Sequence, residues 1–171
     1  MPVPEFVREL RQMIGRHPLW MPGVTAVVLD DEGRVLLGRR SDTGKWALIT
    51  GILDPGEEPA LGTARECLEE TGVEVVVERL TSVTVSPPLV HVNGDRAQYL
   101  ELTFRCRAVG GEARVNDDES LEVGWFSPDD LPADVGPRQR QRLAHALSGA
   151  AEAWFVGADG EADAKQSLAG S

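Results

Sequence analysis

The segment from Gly51 to Val73 constrains this chain most, because it predicts a short helix with three carboxylates on one face. Pro55-Gly56 marks a turn, and the pattern from Pro59 to Thr71 that follows it predicts the helix. On a helical wheel, the carboxylates of Glu66, Glu69 and Glu70 fall on one side. The opposite side is expected to be apolar and buried, and it consists of Ala60, Leu61, Ala64, Cys67 and Leu68.

The spacing of the three glutamates is unfavourable for a helix on its own. Like charges three and four residues apart repel by about 0.2–0.5 kcal/mol per pair. The C-terminal half of a helix also disfavours anions, because it is the negative end of the helix dipole. A solvated polar face is the ordinary interpretation of such a pattern. A hard divalent cation would offset both unfavourable effects, so we expect a metal site at these carboxylates.

The fixed positions of the segment have a specific spacing. Gly51 is followed after five residues by Glu57, and after seven more by the run Arg65-Glu66-Cys67-Leu68-Glu69-Glu70-Thr71-Gly72-Val73. This pattern resembles the Nudix box from end to end. Seven required identities, each present at about 7% in average proteins, coincide at one start with a probability on the order of one in a hundred million. Chance therefore does not explain the match.

The resemblance extends from Pro22 to Leu131. It includes Arg39-Arg40 after a predicted strand, Trp46 before the box, and Trp125-Phe126 before a proline-rich loop. It implies an α/β fold, a Nudix-type α/β/α sandwich with a mixed β-sheet. We expect an N-terminal helix and connection over 1–21, the Nudix domain over 22–156 and a flexible C-terminal tail over 157–171.

Hydrophobic periodicity predicts the remaining elements. Helices are expected over Pro4–Arg16 and around Leu143, Leu147, Ala150 and Trp154. Strands are expected over Val24–Leu29, Arg34–Leu37, Trp46–Thr50, Val73–Val85, Leu100–Ala108 and Leu121–Phe126.

The resemblance also implies a reaction, the hydrolysis of a diphosphate linkage in a nucleoside diphosphate derivative. Mg²⁺ would be the cofactor, with Mn²⁺ as a substitute. Its ligands would be Glu66, Glu69, Glu70 and the carbonyl group of Thr50. Arg65 would orient this cluster by pairing with Glu57, although a surface ion pair is an equal alternative. Glu119 would supply a further carboxylate, and the sequence leaves open whether Glu66 or Glu119 is the general base.

Three residues outside the box are candidates for substrate binding. Arg39 and Arg40 could contact phosphate in the bidentate geometry that guanidinium favours, or they could form a solvated strand end. Trp20 could stack on a base, although packing is the commoner role of a tryptophan between prolines. Pro87-Pro88 resembles a marker of the ADP-ribose pyrophosphatase branch, and a proline pair that ends a strand needs no function.

ADP-ribose or a nucleotide sugar is the substrate that these features favour. One alternative is a nucleoside triphosphate pyrophosphohydrolase that acts on damaged nucleotides. The other is a non-catalytic nucleotide-sensing module, which predicts a decayed box and an added DNA-binding region. The box is intact, so we expect an enzyme.

Composition excludes several other classes of protein. A formal net charge of -11 disfavours a nucleic-acid partner, because the phosphate backbone repels an acidic surface. The chain lacks an apolar run long enough for a membrane span, and its N-terminus lacks the layout of a signal peptide. We therefore expect a cytoplasmic protein. Two cysteines, Cys67 and Cys106, are too few for a disulfide framework.

The family resemblance also implies a homodimer.

Overall fold

Helices flank both faces of a mixed β-sheet in this computed structural model, which describes residues 4–157. The helices of this part of the chain are α1 (Glu5–Ile14), α2 (Pro59–Thr71) and α3 (Pro137–Leu147). Its strands are β1 (Leu19–Leu29), β2 (Val35–Arg40), β3 (Trp46–Ala47), β4 (Ile49–Ile52), β5 (Val73–Val85), β6 (Leu89–Val90), β7 (Arg96–Gly111) and β8 (Ser120–Phe126).

The sheet is built around β1 and β7, which lie side by side and parallel. The main order of strands is β3-β2-β1-β7-β5, and the other strand pairs are antiparallel. Three further strands pair outside this order: β4 pairs with β1, β8 with β2 and β6 with β7. The predicted α/β fold with a mixed sheet is therefore confirmed.

Alternate residues of β1 contribute to two different cores, because successive side chains of a strand point to opposite faces. Val24, Ala26 and Val28 pack in the core that includes Cys67 of α2. Val27 and Leu29 pack in the core that includes Leu143 and Ala146 of α3. A third, smaller core joins Val7 of α1 to Met21 and Ala97. The sheet thus separates α2 from α3, which gives the predicted layers.

The C-terminal helix is shorter than predicted. It ends at Leu147, and Gly149 follows with a left-handed φ of 69°. Trp154 lies outside the helix and extends the sheet, since its N–H donates to Thr81 O (2.9 Å) and its carbonyl accepts from Val83 N (2.9 Å). The prediction that Ala150 and Trp154 continue this helix is wrong. Trp154 fits the apolar pattern of the helix because its indole is buried, but it is buried outside the helix. Its ring stacks on His145, with ring centroids 4.6 Å apart.

Other boundaries differ by a few residues. The predicted strand Trp46–Thr50 is two strands, β3 and β4, and β1 begins at Leu19, so the predicted boundary at residue 22 falls inside a strand. Both cysteines are free and buried. None of the helices within 4–157 is long and apolar enough to cross a membrane. The predicted tail over 157–171 lies outside the described residues except for its first residue.

Candidate active site

The site forms where α2 packs on β4. Glu66 is 1% exposed and lies against Gly51 of β4, so closely that a β-carbon at residue 51 would overlap the glutamate side chain. Gly51 pairs with Val24 of β1, which fixes β4 in the sheet. The glycine of the motif is therefore required by the close approach of a buried carboxylate.

The helix buries a different face from the one that the helical wheel predicts. Leu61 and Leu68 are 68% and 46% exposed, whereas Glu66 and Glu70 are 1% and 7% exposed. The prediction of an apolar buried side with the glutamates opposite is wrong for these residues. The face turned to the protein consists of Gly62, Thr63, Glu66, Cys67, Glu70 and Thr71. Its two threonine hydroxyls donate to carbonyls one helical turn back, so their burial is compensated.

Burial makes the two inner carboxylates reluctant to ionise. Burial raises the pKa of Glu66 to about 7 despite the neighbouring Arg65. The pKa of Glu70 is raised to about 8, first by burial and then by the charges of Glu66 and Asp117. Glu66 Oε1 accepts a hydrogen bond from Arg65, but Glu66 Oε2 is buried and has no partner among the described residues. A bound cation would pair this oxygen and favour the ionised forms.

Arg65 holds the cluster together from the solvent side. Its Nε and second terminal nitrogen donate to the two carboxylate oxygens of Glu57 at 2.7 and 2.8 Å, a bidentate pair. Its first terminal nitrogen donates to Glu66 (3.0 Å) and Glu69 (3.1 Å). The hydrogen bond from Arg65 lowers the pKa of Glu57. The Arg65 and Glu57 side chains are 27% and 18% exposed, so the pair is more buried than an ordinary surface ion pair.

The residues predicted as metal ligands are brought together only in part. Glu66 and Glu70 lie one helical turn apart on the buried face of α2. Thr50 precedes Gly51 on β4. Glu69 is turned to Arg65, and its side chain is 49% exposed. Within 4–157, no three His, Cys, Asp or Glu side chains are already arranged to hold a metal ion. The unpartnered oxygen of Glu66 and the raised pKa values fit a divalent cation, and Glu69 could join it by rotating at the helix surface.

Glu119 lies in the loop that precedes β8. Its backbone N–H donates to the Asp117 carboxylate (3.0 Å), and its carbonyl accepts from Ser41 N (2.7 Å). Asp117 lies near enough to Glu70 to raise the pKa of that residue, so the loop adds a carboxylate that was not among the predicted site residues. The acidic run Asp117-Asp118-Glu119 indicated a carboxylate near the site, but the sequence did not show which of the three lies near Glu70.

The two candidate arginines are engaged within the protein. Arg39 donates to Glu122 (2.6 Å) and to the carbonyl of Gly44 (2.9 Å). Arg40 makes a bidentate pair with Asp42 at 2.9 and 2.8 Å. This pair raises the pKa of Arg40, and the nearby charge of Glu70 raises it further.

Trp20 is not packed into the core. It stands near the start of β1, next to Gln98 of β7, and is 58% exposed. Its side chain is therefore accessible from solvent.

Comparison with known proteins agrees with this architecture. The family model of the NUDIX domain matches residues 19–146. A MutT-like protein of Streptomyces ambofaciens is 39% identical over 133 residues, covering 78% of this chain and 80% of that protein. A putative 8-oxo-dGTP diphosphatase of Bacillus subtilis (strain 168) is 28% identical over 132 residues, covering 77% and 83%.

A solved structure has the same fold. The crystal structure of a UDP-X diphosphatase superposes with a TM-score of 0.62 and 25% sequence identity, covering 85% of this chain and 71% of that one. The buried glutamates, their arginine and the glycine under them thus lie in a domain that the family model matches. The chain belongs to the NUDIX domain family and is a Nudix hydrolase.

Proposed function

We propose that this protein cleaves the diphosphate linkage of a nucleoside diphosphate derivative, with ADP-ribose or a nucleotide sugar as the substrate and Mg²⁺ as the cofactor. The observation that carries the proposal is the buried pair Glu66 and Glu70 of α2, in which Glu66 Oε2 has no hydrogen-bond partner among residues 4–157. Mn²⁺ is expected to replace Mg²⁺, because both are octahedral ions that prefer oxygen ligands.

Each residue of the box has a part in this reaction. Glu66, Glu69 and Glu70, with the carbonyl of Thr50, would hold the metal ion. When bound, Mg²⁺ supplies neutralisation of the phosphate charge and a water molecule of lowered pKa. Arg65 acts through other residues, since its bidentate bond to Glu57 fixes the guanidinium that reaches Glu66 and Glu69. It is therefore a positioning residue.

The reaction needs one proton acceptor. The oxygen of water forms a bond to one phosphorus atom while the bridging P–O bond breaks, and the bridging oxygen leaves with the other phosphate. Glu66 or Glu119 takes the proton of the attacking water. The products from ADP-ribose would be AMP and a sugar phosphate.

The substrate-binding residues would be Arg39, Arg40 and Trp20. Arg40 would contact phosphate by exchanging its bidentate pair with Asp42 for the substrate, and the charge of Glu70 acts on its guanidinium. The exposed ring of Trp20 is free to stack on a base. Pro87-Pro88, which follows β5, and the likeness to a UDP-X diphosphatase favour a diphosphate substrate.

A second candidate is hydrolysis of damaged nucleoside triphosphates with release of pyrophosphate. It is favoured by the similarity to the Bacillus subtilis protein, which is named a putative 8-oxo-dGTP diphosphatase. The two candidates share the box and differ in the group attached to the nucleotide.

A panel of substrates distinguishes the candidates. The purified protein is incubated with Mg²⁺ and ADP-ribose, nucleotide sugars, CDP-choline, dinucleoside polyphosphates or oxidised triphosphates, and the products are identified by mass spectrometry. Release of AMP from ADP-ribose, or of a nucleoside monophosphate from a nucleotide sugar, is the expected result. Pyrophosphate release from triphosphates alone would overturn the substrate and support the second candidate. Cytoplasmic localisation and a homodimer stay predictions.

A further inference from the structure

The last turn of α2 is closed by a loop that lies far away in the sequence. A helix leaves its final carbonyls without partners inside the helix. Here the side-chain amide of Asn116 donates to the carbonyls of Leu68 and Glu69, both at 3.1 Å. The backbone N–H of Asn116 donates to Glu70 O (3.2 Å). The N–H of Arg114 donates to the carbonyl of Thr71 (3.0 Å), so two loop residues occupy four successive carbonyls.

The same turn and the same loop carry the carboxylates of the site. Glu69 and Glu70 belong to the turn that Asn116 holds. Asp117 comes directly after Asn116, lies close enough for its charge to act on Glu70, and accepts the N–H of Glu119. Asn116 is therefore the junction between the helix carboxylates and the loop carboxylates.

An amide suits this junction for an electrostatic reason. The C-terminal end of α2 carries negative partial charge on its carbonyls, and its last turn already contains two glutamates. The NH₂ group supplies two hydrogen-bond donors without adding a negative charge. An aspartate of the same shape would instead place a carboxylate against two carbonyl oxygens.

We propose that Asn116 is a positioning residue, which fixes the last turn of α2 against the loop so that Glu69 and Glu70 share one site with Asp117. The inference rests on the proposed function, since it assumes that these carboxylates hold a divalent cation. It adds a residue outside the box on which the geometry of that site depends.

The test compares Asn116→Ala and Asn116→Asp with a matched pair, Asn93→Ala and Asn93→Asp. Asn93 holds a surface turn through Asp95 and contacts none of the site residues described above. The dissociation constant of Mn²⁺ is measured on the metal-free proteins by electron paramagnetic resonance, together with kcat, KM and Tm. Substitution of a residue that orients metal ligands typically lowers metal affinity or activity by about 10–100-fold.

We expect both Asn116 variants to weaken Mn²⁺ binding by about tenfold or more, with Asn116→Asp the weaker binder. Both Asn93 variants should bind Mn²⁺ as the wild type does. A merely structural role would lower Tm and leave the affinity of the folded protein unchanged. Mn²⁺ affinity and kcat within twofold of wild type in Asn116→Ala would overturn the inference.

A measurement on the wild type covers the case in which the variants do not fold. Mn²⁺ should slow hydrogen exchange of the Arg114 and Asn116 amides together with those of α2, because they close the same turn. Unchanged exchange of these two amides would also overturn the inference.

The two proposals fail differently. If the wild type hydrolyses no nucleotide of the panel but the Asn116 variants still lose Mn²⁺ affinity, the proposed function fails and the positioning role stands. If the wild type is active and the variants keep Mn²⁺ affinity, the positioning role fails alone. A wild type that binds no Mn²⁺ would contradict both.

Discussion

Glu66 of α2 lies so close to Gly51 of β4 that residue 51 has no room for a β-carbon. The first glycine and the first helix glutamate of the box are therefore partners in one contact. Glycine at this position serves the placement of a carboxylate, and it does not adopt a left-handed conformation.

Gly51→Ala should displace Glu66 and abolish most of the activity. Inserting a methyl group into a filled space typically lowers the free energy of unfolding by about 1–3 kcal/mol, and Glu66 can avoid part of this cost by moving. We expect a large loss of kcat together with only a modest decrease in the free energy of unfolding. Gly136→Ala is the control, because nothing among the described residues lies within 4 Å of a β-carbon there and φ is -67°. Equal kcat in both variants would contradict the contact.

The stability of the metal-free protein should decrease as pH rises from 5 to 8. The folded-state pKa values of Glu66 and Glu70 are raised from 4.5 to about 7 and about 8. The folded state therefore binds protons that the unfolded state has lost, and this stabilisation is complete below pH 4.5 and is lost as pH rises through about 7 and about 8. The expected decrease is on the order of a few kcal/mol in the free energy of unfolding.

Urea unfolding in excess chelator at several pH values measures this decrease. The double variant Glu66→Gln/Glu70→Gln should lose most of it. His145 titrates in the same range with the opposite sign, because burial lowers its pKa, and it is present in both proteins. The same pH dependence in wild type and double variant would refute the assignment to these carboxylates.

Arg65→Lys should not preserve the function of Arg65. Lysine cannot reproduce the bidentate bond to Glu57 while also reaching Glu66. We expect kcat to fall by about tenfold or more, as is typical when a residue that orients metal ligands is lost. Steady-state kinetics check this against Arg34→Lys, which alters an exposed pair with Asp30. Comparable kinetics in the two variants would show that Arg65 forms only an ordinary surface ion pair.

The general base can be assigned by two isosteric variants. Glu66→Gln should lower kcat by about 100-fold or more, the usual loss when a general base is removed. If Glu119→Gln lowers kcat by less than about threefold, the base belongs to the helix. A loss of about 100-fold or more in Glu119→Gln together with a loss below about tenfold in Glu66→Gln would assign the base to the loop.

The local parts of the fold could be predicted from the sequence. The bounds of α2 and β5 agree with the prediction, because their signals are carried by neighbouring residues. Pro59 begins α2, and Gly72 ends it in a left-handed conformation with φ 70°. The family resemblance then identified the candidate residues of the box.

The parts that depend on long-range contacts could not be predicted in this way. A helical wheel assumes that carboxylates face solvent, whereas Glu66 and Glu70 are buried and Leu61 and Leu68 are exposed. The pairing of Trp154 with β5 and the closure of α2 by Asn116 join residues far apart in the sequence. Periodicity carries no signal for such contacts.

We propose that a divalent cation held by the box carboxylates is needed to break the diphosphate linkage. The most direct measurement is the initial rate of nucleoside monophosphate release from the substrate that the panel identifies, in excess Mg²⁺ and then in excess chelator. We expect chelation to lower the rate by at least about 100-fold and added Mg²⁺ to restore it. An unchanged rate in excess chelator would show that the reaction needs no divalent cation.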